Sequence, residues 1–218
     1  TKTGRKTLGG SASYASIAAS FFAPVQLVGV VGNDFEPEFI SRLENRGICL
    51  EGLQHDSSGP TFFWAGEYAD NFNVRRTVDI KLNVFERFRP VLPQSYQISQ
   101  YVLLGNIGPD LQMHVLNQLR GEAFVVADTI DLWIETRFEE LLALIGKIDC
   151  YAINESEATL MTGERNTINA GWRLLEMGPR MALVKKGEHG AYLFHPDGLF
   201  ALPAYPVTAL QDPTGAGD

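Results

Sequence analysis

Residues 212–218 read Asp-Pro-Thr-Gly-Ala-Gly-Asp, a short turn with a carboxylate at each end. Gly215 and Gly217 carry no side chain, so backbone N–H groups on either side of Ala216 can point at one spot without obstruction. If a helix begins here, its free N–H groups and its dipole add to a cradle for anionic oxygens. Asp218 would stand beside that cradle as a base. This arrangement suits the transfer of a phosphoryl group to a hydroxyl.

The composition is that of an ordinary acidic, folded protein. The chain has 218 residues, a formal net charge of −8 and 45% hydrophobic residues, enough for one large or two small domains. The negative charge argues against nucleic acid or an anionic membrane as the main partner, because both bind basic faces. Cys49 and Cys150 form no CxxC pair and are interpreted as buried free thiols of a reducing compartment, which predicts a cytoplasmic location.

Strand-like apolar runs alternate with helical patterns along most of the chain. The clearest strands are residues 26–31, 101–104, 123–127, 149–153 and 181–184, and a single helix is predicted over 134–145. The alternation predicts an α/β fold with a mostly parallel sheet covered on both faces. Residues 53–77 break this rhythm with short, aromatic-rich strands. They predict a small antiparallel insertion, a flap that closes over a ligand.

Polar residues follow the predicted strands. They are Asn106, Asp128, Asn154 and Lys185, together with the turn at residues 212–218. Parallel sheets bind ligands beyond the carboxyl ends of their strands. We therefore expect these residues to line up along one edge of the sheet.

Two motifs at this edge have a functional and a structural interpretation. Glu157, three residues after Asn154, could hold Mg²⁺ through water, since Mg²⁺ keeps part of its hydration shell. Alternatively, Asn154 is a helix N-cap followed by favourable first-turn acids. Residues 185–190, Lys-Lys-Gly-Glu-His-Gly, could let adenine or phosphates approach, or could form an ordinary hairpin turn.

Gly9 and Gly10 precede a run of small residues that predicts a helix packed closely against a sheet. The glycines either let the helix N-terminus approach a ligand or simply permit close packing. Common alternatives are missing from the sequence. It contains no P-loop, no dinucleotide fingerprint after a strand and no nucleophile elbow.

Taken together and in this order, the motifs resemble the PfkB, or ribokinase-like, family of sugar and nucleoside kinases. Residues 212–218 resemble its second signature, D-[TP]-T-G-A-G-D, and Gly9-Gly10 with the small-residue helix resembles its first. The family's N-x-x-E and G-x-x-G motifs are matched by Asn154-x-x-Glu157 and Gly187-x-x-Gly190. Asp128 and Trp133 also fall where many members carry these residue types. The resemblance covers the whole chain.

The resemblance implies a ribokinase-like three-layer α/β/α fold and an ATP- and Mg²⁺-dependent kinase that phosphorylates a hydroxymethyl group of a sugar or nucleoside. The implied catalytic residues are the base Asp218 and the amides of Gly215, Ala216 and Gly217. The nucleotide and Mg²⁺ would be held by Asn154, Glu157, Lys185, Gly187, Glu188 and Gly190, with Glu157 facing the metal. The acceptor would be contacted by Gly9, Gly10, Ser11, Tyr14 and Asn106.

The acceptor is the part of the resemblance that departs from the family pattern. Tyr14 stands where the first signature usually has an Asn that helps to bind the sugar. It either stacks on an acceptor ring or packs without touching a ligand. Aromatic residues of the flap slightly favour a ring-bearing acceptor; they are Phe62, Phe63, Trp64, Tyr68 and Phe72. The competing hypothesis is a non-catalytic relative that binds a sugar or nucleoside in a sensing or structural role.

The ends of the sequence also differ from the family. Members begin with a further strand and continue past the final Asp into a helix. Residues 1–218 are therefore expected to be a single kinase domain that lacks its first strand and its C-terminal part. Relatives commonly form homodimers through the flap, and the apolar flap residues permit the same here.

Overall fold

The computed structural model describes residues 7–68, 75–210 and 212–218. By their internal contacts the residues form two compact units, Thr1–Pro93 and Gln94–Asp218. The single kinase domain expected over residues 1–218 stays a prediction. Among the described residues, no helix combines the length and apolarity that a membrane crossing requires.

The first unit contains two pairs of strands and two helices. Its elements are α1 (Ser11–Ala19), β1 (Gln26–Gly32), α2 (Pro37–Glu44), β2 (Cys49–Asp56), β3 (Phe63–Tyr68) and β4 (Arg75–Lys81). β1 and β2 pair in parallel, and β3 and β4 pair antiparallel. A small core of Leu27, Leu43 and Ile48 is covered by neighbouring apolar side chains. Pro37 occupies the first turn of α2, where its missing N–H costs no helical hydrogen bond.

The strands of this unit differ in one respect from the predicted bounds of the flap. Residues 53–56 belong to β2, because Leu50 and Leu53 pack against the core of the unit and draw this segment alongside β1. The antiparallel pair lies further along the chain, in β3 and β4. Phe72 and the predicted turn around it lie outside the described residues. Cys49 is exposed, so its interpretation as a buried thiol was wrong; Cys150 is buried.

The second unit is built on one six-stranded sheet. Its strands are β5 (Tyr101–Leu104), β6 (Phe124–Asp128), β7 (Cys150–Asn154), β8 (Met181–Lys185), β9 (Ala191–His195) and β10 (Gly198–Leu202). They lie in the order β10-β9-β8-β7-β6-β5. β5 to β8 run parallel, and β9 and β10 are antiparallel. The predicted α/β fold with a mostly parallel sheet is therefore confirmed.

The helices of this unit are α3 (Pro109–Leu116), α4 (Asp131–Thr136), α5 (Phe138–Ile145), α6 (Glu155–Thr162) and α7 (Thr167–Glu176). The single helix predicted over 134–145 was wrong, because the chain breaks at Arg137, whose φ of −136° is not helical. Asn154 ends β7 and at once caps α6, so strand and helix meet without a connecting loop. α6 then ends at Gly163, whose φ of 75° is left-handed.

Candidate active site

The carboxyl ends of three neighbouring parallel strands carry the polar residues of the candidate site. Asp128, Asn154 and Lys185 are the last residues of β6, β7 and β8. The register pairs Asn154 with Lys185, and Asp128 with Ala152 in β7. The three side chains therefore share one edge of the sheet, the place where such sheets bind ligands.

Lys185 connects two parts of this site through hydrogen bonds. Its Nζ donates to Asp128 Oδ1 at 2.8 Å and to the backbone oxygen of Gly217 at 2.8 Å. The Lys185 and Asp128 side chains are only 24% and 14% exposed, so solvent screens the pair incompletely. The sheet edge and the turn at the end of the chain are thus joined through one ammonium group.

Residues 213–218, called here the signature turn, are held by short-range hydrogen bonds. Asp212 Oδ1 accepts from the Thr214 amide at 2.9 Å. Hydrogen bonds from the Thr214 hydroxyl and, second, from this amide lower the pKa of Asp212. Within the turn, Ala216 N donates to Pro213 O and Asp218 N donates to Gly215 O. Gly215 has a φ of 81°, a conformation that glycine adopts without strain.

These hydrogen bonds decide which amides remain for an anion. Ala216 N–H is already used inside the turn at 3.1 Å. Gly215 and Gly217 donate no backbone hydrogen bond to the residues that the structure describes. Of the three amides implied by the family resemblance, those of Gly215 and Gly217 therefore have no backbone acceptor within the described part of the chain.

Asn154 and Glu157 form a reciprocal capping box at the start of α6. Asn154 Oδ1 accepts from Glu157 N at 2.8 Å, and Glu157 Oε2 accepts from Asn154 N at 2.9 Å. Asn154 therefore acts as a helix N-cap, as the structural interpretation of this motif predicts. The capping box uses Glu157 Oε2, so Oε1 can still bind another ligand. Glu157 is 8% exposed, and burial raises the pKa of its carboxyl.

This carboxylate fits a magnesium ion that arrives with phosphates. The described residues contain no cluster of three or more His, Cys, Asp or Glu that could hold a metal by itself. Mg²⁺ often needs only one or two carboxylates, because waters and substrate phosphates complete its octahedron. A nearby cation would also stabilise the ionised form of Glu157 against the effect of burial.

The G-x-x-G segment forms a short 3₁₀ turn after β8, from Gly187 to His189. Both glycines have a positive φ, 55° at Gly187 and 91° at Gly190. A side chain on Gly190 would overlap the backbone oxygen of Leu202 and lie 2.7 Å from Ala204 N. Gly190 thus permits a close approach of two backbone segments. Glu188 is exposed.

Asn106 lies in the loop after β5, where Trp133 Nε1 donates to its Oδ1 at 2.9 Å. The indole therefore orients the Asn106 amide, whose NH₂ group remains the end suited to an acceptor oxygen. Gln112 was missed by the sequence reasoning. It is 1% exposed, and its Nε2 donates to Gly105 O and Asp128 O, each at 2.9 Å. It ties the ends of β5 and β6 together, and a polar residue on an amphipathic helix gives no signal of this.

The remaining predicted residues lie in the first unit. Gly10 is the N-cap of α1 with a φ of 88°, and its oxygen accepts from Ser13 N and Tyr14 N. Ser11 begins the helix, Gly9 and Gly10 are exposed, and Tyr14 is half-buried. The two interpretations of Tyr14, stacking and packing, therefore both stay predictions.

The fold and this edge together define a class of protein. A parallel α/β sheet that presents a glycine-rich turn, a carboxylate and a lysine at its carboxyl edge is suited to bind and transfer phosphoryl groups. The sequence profile of the pfkB family of carbohydrate kinases matches residues 1–218. The chain belongs to this family. It is an ATP-dependent kinase of the class that phosphorylates sugars and nucleosides.

Individual relatives agree with this assignment. The cytidine kinase of Thermococcus kodakarensis is 28% identical over 217 residues, which cover 96% of this chain and 76% of the relative. An E. coli structure described as a ribokinase II in complex with ATP and Mg²⁺ superposes with a TM-score of 0.80 at 19% identity, covering 99% of this chain and 75% of that one. The nucleoside kinase of Methanocaldococcus jannaschii gives 0.78 at 20% identity, with coverage of 98% and 70%. The ribokinase-like fold is therefore confirmed.

Proposed function

We propose that this kinase transfers the γ-phosphoryl group of ATP to the hydroxymethyl group of a nucleoside, with a free sugar as the second candidate acceptor. The observation that carries the proposal is the signature turn, in which the Gly215 and Gly217 amides have no backbone acceptor among the described residues and Asp218 is the next residue in the chain. Similarity to a cytidine kinase over 96% of the chain supports the nucleoside. The aromatic side chains of Phe63, Trp64 and Tyr68 on β3 are consistent with a ring-bearing acceptor.

The chemistry follows from the placement of these groups. Asp218 accepts the proton of the acceptor hydroxyl while the hydroxyl oxygen bonds to the γ-phosphorus of ATP. At the same time, the bond from that phosphorus to the β–γ bridging oxygen breaks, and ADP is released. The amides of Gly215 and Gly217 stabilise negative charge on the transferred group, which is the main task of a phosphoryl-transfer site. Asn154 and Glu157 face the phosphates, and residues 185–190 border the nucleotide.

Magnesium would be held by Glu157, through water, together with the ATP phosphates. When bound, it neutralises phosphate charge and orients the transferred group. Glu157 needs its Oε2 for the capping box, so Oε1 is the oxygen that would face the hydrated ion.

The test is ADP release by the full-length protein with a panel of nucleosides and sugars. Asp218→Asn should lower kcat by about 10²–10⁴-fold, the usual contribution of a general base. Asp197→Asn is the matched control, because Asp197 is an exposed aspartate in the turn between β9 and β10. If Asp218→Asn kept full turnover, the assigned base would be wrong. If calorimetry detected a bound nucleoside or sugar and no product formed, a non-catalytic binding role would replace the proposal.

The proposal also includes an oligomeric state and a cellular location. Homodimerisation through the flap is supported by Val78 and Ile80 of β4, which are 54% and 55% exposed. Sedimentation of Ile80→Glu beside the unmodified protein would test it, because a charge in a dimer interface should yield monomers. The cytoplasmic location stays a prediction.

A further inference from the structure

The contact between Lys185 and Gly217 gives the lysine a task besides charge pairing. Two of its three ammonium protons are engaged, one by Asp128 Oδ1 and one by Gly217 O, both at 2.8 Å. Charge-assisted hydrogen bonds of this length are stronger than neutral ones. Partial burial of both side chains limits the competition from water. The position of the turn is thus coupled to the end of β6.

The accepting oxygen lies at the point in the turn that matters most. Gly217 O belongs to the planar peptide group that ends at the Cα atom of Asp218. The N–H of the same peptide group donates to Gly215 O at 3.2 Å. Because both polar atoms of this peptide group are held, its plane is fixed, and so is the position of the Asp218 Cα atom from which the side chain leaves the backbone.

Asp128 gives this restraint a rigid origin. A lysine side chain alone has several rotatable bonds and would hold the turn loosely. Asp128 stands at the end of β6, on the far side of β7 from Lys185, and pulls the ammonium across the sheet edge. The carboxylate and Gly217 O together define where Nζ lies.

We propose that Lys185 is a positioning residue, and that it works with Asp128 to orient the Gly217–Asp218 peptide and aim the Asp218 carboxylate at the acceptor hydroxyl. The inference rests on the proposed function, in which Asp218 is the base. It changes the expected role of Lys185. A residue that only borders the nucleotide acts on the KM for ATP, whereas a residue that aims the base acts on kcat.

Kinetics of the full-length protein separate these roles. Lys185→Met keeps the length of the side chain without its charge, and Asp128→Ala removes the anchor. We expect either change to lower kcat by roughly 10²-fold, the loss that a misplacement of about 1 Å can cause. The KM for ATP should stay nearly constant, and the double variant should lose little more than either single one, since both act through the same restraint. Should Asp128→Ala not fold, Asp128→Asn keeps the acceptor oxygen and should show a smaller fall in kcat.

Arg180→Met is the matched control. Arg180 immediately precedes β8, at the end opposite Lys185, and its guanidinium lies 3.2 Å from Asp149. Like Lys185→Met, this substitution removes a cation from an ion pair, but kcat should not change. If Lys185→Met raised the KM for ATP with kcat intact, and Asp128→Ala had no kinetic effect, Lys185 would be a nucleotide contact and the proposal would be overturned.

A second measurement does not depend on activity. In nucleotide-free protein, the carbonyl ¹³C resonance of Gly217 reports the hydrogen bond from Lys185. It should move in Lys185→Met and in Asp128→Ala, and stay in place in Arg180→Met. An unmoved resonance in Lys185→Met refutes the anchor. Full turnover by Asp218→Asn would refute the assigned base and leave this spectral result intact, so the two failures are distinguishable.

Discussion

Replacing Gly190 by alanine tests the geometry of the G-x-x-G turn most directly. Gly190 has φ 91° and ψ −137°, and strain in such a region costs an alanine on the order of 1–3 kcal/mol. The new methyl group would overlap Leu202 O, and the next nearest atoms are also backbone, so no rotamer change relieves the clash. Overpacking of this kind adds about 1–3 kcal/mol. We therefore expect Gly190→Ala to lower the free energy of unfolding by about 4 kcal/mol.

Gly187→Ala is the matched comparison, because it changes the other glycine of the same motif. Gly187 has a φ of 55°, but no atom lies within 4 Å of its Cβ position. Only the left-handed backbone is penalised, so the expected loss is about 1–2 kcal/mol. The gain from a stiffer unfolded chain is common to both variants and cancels.

Urea unfolding followed by fluorescence measures both losses, provided that the slope m is unchanged. Total stabilities of about 5–15 kcal/mol make a loss of 4 kcal/mol readily visible. Gly187→Ala should remain folded, so its KM for ATP separately tests whether this turn borders the nucleotide. Equal unfolding free energies for the two alanine variants would refute the claim that a close backbone approach dictates Gly190.

Two further predictions concern helices of the second unit. Gly171→Ala should destabilise the protein by about 2 kcal/mol despite the better helix propensity of alanine, because its Cβ would overlap the buried Phe194 ring; urea unfolding should show partial rescue by Phe194→Leu. Asn154→Ala and Asn166→Ala each remove a helix cap and should each cost about 0.5–2 kcal/mol in the same assay. Only Asn154→Ala should also raise the KM for ATP, and an equal rise in both would remove Asn154 from the nucleotide site.

The sequence predicts the second unit better than the first for a physical reason. The parallel strands of the six-stranded sheet are short apolar runs bounded by polar residues, and residues 101–104 were placed with the correct bounds. β2 reads Cys-Leu-Glu-Gly-Leu-Gln-His-Asp, a mixed strand that lies at the side of a two-stranded sheet and shows no such run. The sequence also gives no sign of the helix break at Arg137, because a helical pattern of apolar residues continues through this position.

The candidate site shows the same division between local and non-local information. The local sequence pattern predicts that three residues lie at strand ends: Asp128, Asn154 and Lys185. That Lys185 reaches Asp128, 57 residues away, and Gly217 O, 32 residues away, depends on strand order and side-chain direction, which no motif encodes. The use of Ala216 N–H inside the turn likewise follows from the backbone angles at Gly215.

The pH dependence of stability offers a last test, on Glu157. Burial is the main cause that raises the pKa of this carboxyl from its ordinary value of 4.5. In the window from pH 4.5 up to the raised value, the folded protein binds more protons than the unfolded chain. The free energy of unfolding due to this group therefore falls as the pH rises through the window. Glu157→Gln should remove this contribution, because glutamine stays neutral and can still accept from Asn154 N.

Unfolding of both proteins across this range should therefore show wild-type losing stability relative to Glu157→Gln as the pH rises. If the difference in unfolding free energy between the two proteins did not change with pH, the pKa of Glu157 would not be raised by burial. The same group then links stability to the proposed chemistry. If Glu157 holds hydrated Mg²⁺ with the ATP phosphates, magnesium and nucleotide favour its ionised form and should move the window to lower pH. An excess of Mg²⁺ and ATP that stabilises the protein without moving the window would show that the metal is held elsewhere, and that Glu157 serves the capping box alone.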